Sequence, residues 1–116
     1  MPTIWYEVTA TVRPDIVVRW EAYMREKHIR DVLQTGCFVR AAFERAASGR
    51  FRVIYEAPSR EQLDRYVADH APRLRNDVLT HFPEGVELVR EEWSQVETFR
   101  AGTPTPFAGT PVQRKK

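Results

Sequence analysis

Cysteine occurs once in this chain, at Cys37. No intramolecular disulfide can form, which excludes the cross-linked framework that holds many small secreted domains together. Long apolar runs are also missing, and Met1 to Tyr6 have neither the basic region nor the apolar core of a signal peptide. The expectation is a cytoplasmic protein with no membrane partner. There is no glycine-rich phosphate loop among the five glycines and no closely spaced set of Cys and His residues. No zinc site and no cofactor are therefore expected. Nor does one sign of charge dominate: 18 Lys and Arg against 16 Asp and Glu leave +2. Arg114, Lys115 and Lys116 supply much of that excess, so a nucleic-acid partner is not expected either.

What remains is an ordinary globular composition, 42% hydrophobic and 29% charged over 116 residues. That length fits one domain able to bury a core of its own. Ile4, Tyr6, Val8, Ala10 and Val12 alternate with Trp5, Glu7, Thr9 and Thr11, the period of a strand with one buried face. After Pro14-Asp15, residues Ile16, Val17, Trp20, Met24, His28 and Val32 return at helical intervals until Thr35-Gly36. A second strand is expected over Cys37–Ala46 and a third over Arg50–Ala57, joined by a turn at Ser48-Gly49. Ser59 and Gln62 match a capping box before Leu63, Tyr66, Val67 and His70, and Pro72 should interrupt that second helix. Val86–Phe99 reads as a long last strand, with Val89 and Trp93 on one face and Arg90, Glu92 and Ser94 on the other.

The order βαββαβ predicts an α+β, ferredoxin-like domain over residues 1–99: a four-stranded antiparallel sheet with both helices on one face. Residues 100–116 form a Pro/Thr-rich basic tail with Ala-Gly-Thr-Pro twice, read as a flexible terminus; a docking peptide is the alternative. On the helix-free face the pattern places Trp5, Glu7, Thr9, Thr11, Arg52, Ile54 and Glu56. Trp5 and Ile54 favour pairing of that face with a second copy, so a homodimer is expected.

Two motifs carry a resemblance: Trp20-x3-Met24-x3-His28-Ile29-x2-Val32-Leu33-x-Thr35-Gly36-Cys37-Phe38 and Tyr66-x3-His70-Ala71-Pro72-x-Leu74-Arg75. With the βαββαβ order, the region Ile4 to Phe99 resembles a bacterial family of uncharacterised function in the dimeric α/β-barrel superfamily. The resemblance implies the fold and a paired assembly. Members of that superfamily include cofactor-independent monooxygenases, haem-degrading enzymes and lactone isomerases, so no single reaction is implied.

Trp20, Met24, His28, Tyr66 and His70 are the candidate ligand-binding residues, grouped where the helices meet the sheet. His28 is the candidate catalytic group, because imidazole titrates near neutrality. The structural account competes: His28 near a helix end donating to a free carbonyl, and His70 doing the same before Pro72. A metal shared by His28 and His70 is rejected, since their helices run antiparallel. Cys37 reads as packing rather than nucleophile. Arg73 and Arg75, or Arg40, Arg52 and Arg90, are candidates for holding an anion, against ion pairing with Glu7, Glu44, Glu56 and Glu92. The leading reading is a homodimeric protein that binds a small molecule or serves as a scaffold. The alternatives are a cofactor-independent enzyme using His28 in proton transfer, and an interaction module acting through the tail.

Overall fold

In the computed structural model, which describes residues 2–102, β1 (Ile4–Val12) is the strand its alternation predicts. Ile4, Tyr6, Ala10 and Val12 are buried beneath the helices, whereas Glu7, Thr9 and Thr11 point the other way. The strand is central: β3 (Phe51–Ala57) pairs with one side and β4 (Val86–Ser94) with the other, both antiparallel. With β2 (Arg40–Arg45) beyond β3, the sheet order is β2-β3-β1-β4. The four-stranded antiparallel sheet of a ferredoxin-like α+β domain is thus present, with its core between the sheet and the helices.

The first helical run has more than one winding. A 3-10 turn (Pro14–Ile16) leads into α1 (Val17–Tyr23), a π turn (Met24–His28) and α2 (Ile29–Leu33), closed by Gly36 in the left-handed region. Trp20, Met24, His28 and Val32 are spaced by four, and four residues overshoot one α-helical turn by about 40°. Three such steps would carry His28 and Val32 away from the sheet. The wider turn, in which the Ile29 amide donates to the Met24 carbonyl five residues back, takes up the excess.

The second helical run divides as Pro72 requires, into α3 (Arg60–Asp69) and α4 (Ala71–His81). Ser59 caps α3, its hydroxyl accepting from the Gln62 amide at 3.2 Å. The capping box is only half made: Gln62 Oε1 is buried without a protein partner rather than reaching back to the cap.

Two strand boundaries differ from expectation. β2 starts at Arg40, not Cys37, because the Cys37 amide donates to the Thr35 hydroxyl at 3.3 Å and the chain is still leaving the helix; Val39 makes the first bond towards β3. β4 ends at Ser94, opposite Ile4, with one further bond from the Gln95 amide to Thr3. The residue opposite Val96 in this register is Pro2, which has no amide hydrogen to donate, and the ladder goes no further. Gly85, before β4, has φ +90° and lies so close to Ile16 that a Cβ there would stand 2.7 Å from its Cδ1. The tail from residue 103, with most of the repeated Ala-Gly-Thr-Pro pattern, lies outside the described residues.

Candidate functional site

A cavity of about 30 Å³ lies between the sheet and the helices, enough for one or two waters or the head of a small ligand. Four of the five residues expected from the sequence line it: Trp20 and Met24 from the first helical run, His28 at the end of the π turn, and Tyr66 from α3. His70 does not. It sits at the junction before Pro72, where its Nδ1 faces Arg73 Nη2 at 3.0 Å. A guanidinium can only donate, so His70 accepts there and serves no free carbonyl. The carbonyl account of His28 is overturned as well, because α2 follows the π turn and His28 is not at a helix end.

His28 Nδ1 is buried with no hydrogen-bond partner in the protein, and so is Trp20 Nε1. Burial pulls the His28 imidazole down to about 4, with Asp31 and Asp77 opposing and Lys27 and Arg90 assisting. The ring is therefore neutral at pH 7. It stacks on Tyr23, at 5.9 Å between centroids and 25° between planes. Tyr23 is itself fixed by donating its hydroxyl to Asp77 at 2.7 Å, a carboxylate also held by Lys27 at 3.2 Å. Burial and that bond raise the Tyr23 phenol above its ordinary value.

Three further lining residues belong to this site: Tyr6, Arg75 and Arg90. Arg75 Nη2 donates to Tyr6 Oη at 3.1 Å. Val8 pairs with both Val53 and Arg90, so β4 presents Arg90 on the helix-facing side of the sheet. Among the described residues, neither Arg75 nor Arg90 takes part in an ion pair. Arg40 and Arg52 behave differently: on the opposite face they pair with Glu56 and Glu44, each at 2.6 Å. Burial raises the Tyr66 phenol, as does Tyr6, while Arg75 and Arg90 partly oppose them. Cys37 is fully buried, with Arg65 Nη2 3.7 Å from its Sγ. Among the described residues no cluster of His, Cys, Asp or Glu could hold a metal.

Residues 3–96 match the model of a family described as a domain of unknown function, DUF4286. The chain belongs to the DUF4286 family. No curated protein matches it. Among solved structures, it is similar to SnoaB, a cofactor-independent oxygenase from Streptomyces nogalater, in a point-mutant form. That match has 12% identity and a TM-score of 0.67, covering 83% of this chain and 95% of that one. Protein SO0527 from Shewanella oneidensis matches at 15% identity and TM-score 0.65, over 81% and 91% of the two chains. A dimeric ferredoxin-like protein from an uncultured marine organism matches at 12% identity and TM-score 0.59, over 85% and 100%. At these identities the likeness establishes the fold of this DUF4286 member and leaves its chemistry open. No helix among the described residues is long and apolar enough to cross a membrane.

Proposed function

We propose that this DUF4286 protein works as a homodimer that binds a small molecule in the cavity around His28. The observation that carries the reading is that Trp20 Nε1 and His28 Nδ1 are both buried without protein partners, on residues that line the same cavity. An unmet polar group inside a protein costs about 1–3 kcal/mol, and a ligand that bonds to two of them recovers that cost. Pairing is supported by Val89 and Trp93, 67% and 51% exposed, which share the helix-free face with Ile54. The similarity to a dimeric ferredoxin-like protein supports it too.

The test is thermal unfolding of the full chain against a library of small metabolites. At least one compound should raise Tm in the unmodified protein and lose its effect in His28→Leu and Trp20→Phe. If no compound does so, the ligand-binding reading fails and a scaffold role stands in its place.

A second reading is favoured by one further observation, the neutral imidazole at the cavity wall. A neutral histidine can take a proton from a bound substrate, and the similarity to SnoaB lends this enzyme reading support. Turnover of an identified ligand, with kcat abolished in His28→Ala even at ligand concentrations that restore saturation, is its expected signature.

A further inference from the structure

The wall of the cavity is rich in hydrogen-bond donors, and the side-chain acceptors it has, His28 and the tyrosine hydroxyls, carry no negative charge. Trp20 Nε1–H donates and cannot accept, and its residue is only 1% exposed. The guanidiniums of Arg75 and Arg90 likewise only donate. Tyr6 Oη already accepts from Arg75, which leaves its own proton to be given elsewhere. No aspartate or glutamate lines the cavity. Two positive groups therefore stand beside the cavity without a carboxylate partner of their own, although other arginines of the molecule have found one.

Such a wall selects an occupant that accepts hydrogen bonds and carries negative charge. Size narrows the choice further: about 30 Å³ admits a group of a few atoms, while Met24, Phe43 and Leu88 also line the cavity and suit an apolar remainder. We propose that the cavity takes the carboxylate of a small organic acid, with Arg75 and Arg90 as its counter-charges and the Trp20 indole N–H as a fixed donor. This rests on the ligand-binding reading above. A carboxylate offers two in-plane acceptors matched to a guanidinium fork, and it is smaller and less charged than a phosphate dianion.

The test is a titration of the ¹⁵N-labelled full chain at constant ionic strength, following the Trp20 indole N–H resonance, assigned by its loss in Trp20→Phe. The probes are sodium acetate, acetamide as its uncharged analogue of the same shape, and inorganic phosphate. Acetate should move the resonance saturably, acetamide should not, and Arg75→Gln or Arg90→Gln should weaken acetate by about tenfold. Arg90 is exposed, so its variant guards against misfolding as the cause of loss. If acetamide saturates as well as acetate, charge selects nothing and the carboxylate inference falls, while the ligand-binding reading stands. Saturation by phosphate below the acetate concentration overturns it in favour of a tetrahedral oxyanion. Silence with all three probes overturns it also, and the metabolite library then decides separately whether the cavity binds anything.

Discussion

His28 is a histidine that the fold keeps uncharged. Its imidazole drops from 6.5 in the reference state to about 4 in the folded protein. Between those values the unfolded chain binds a proton that the folded chain refuses, so stability is full above pH 6.5 and falls as pH drops towards 4. The loss attributable to this residue is on the order of 3 kcal/mol. Chemical denaturation of His28→Leu should accordingly show a shallower fall between pH 6.5 and 4 than the unmodified protein does. Parallel curves would mean that the imidazole ionises freely. At this same scale Trp20, Met24, His28 and Tyr66 were legible in the sequence, because one four-residue spacing and one capped helix place them on inward faces. Tyr6, Arg75 and Arg90 were not legible as one site, since three separate elements deliver them. Arg90 did leave a trace: it shares a strand face with Val86 and Leu88, and a charge on such a face marks either an ion pair or a site.

At the scale of the element, the sequence told which segments form and less well how they end. The β1 alternation, the turn at Ser48-Gly49 and the break at Pro72 were readable from local chemistry. The ends of β2 and β4 were not: the Thr35 hydroxyl holds Cys37 in the helix exit, a bond that alternation does not reveal, and β4 stops opposite Ile4, at the far end of the chain. The π turn was hidden too, although a run of identical four-residue spacings is the pattern that demands one. Gly85 offers an element-scale prediction. Its φ of +90° and the 2.7 Å approach of Ile16 to any added Cβ mean that Gly85→Ala must strain the backbone and displace a core side chain. A destabilisation of about 2–4 kcal/mol is expected by urea unfolding. Gly49, also at φ +90° but with open space around it, should lose only about 1 kcal/mol on the same change.

Over the whole molecule the two sheet faces divide the labour. One is covered by helices and holds the cavity; the other carries Val89, Trp93 and Ile54 among paired charges such as Arg52 with Glu44 and Arg40 with Glu56. If that second face joins two copies, Val89→Asp should shift the protein from dimer to monomer in light scattering, since the carboxylate would be desolvated without a partner. A dimer unchanged in mass would place the interface elsewhere.

The central position of β1 has a consequence for how the protein is made. The strand translated first pairs with the strand translated last, Ile4 against Ser94. A nascent chain therefore cannot complete its sheet until the end of the domain has left the ribosome, and until then one margin of β1 stays open to the wrong neighbours. Contacts so distant in sequence also slow the search for the native pairing. Synthesis, as much as sequence, sets the moment at which this fold can close.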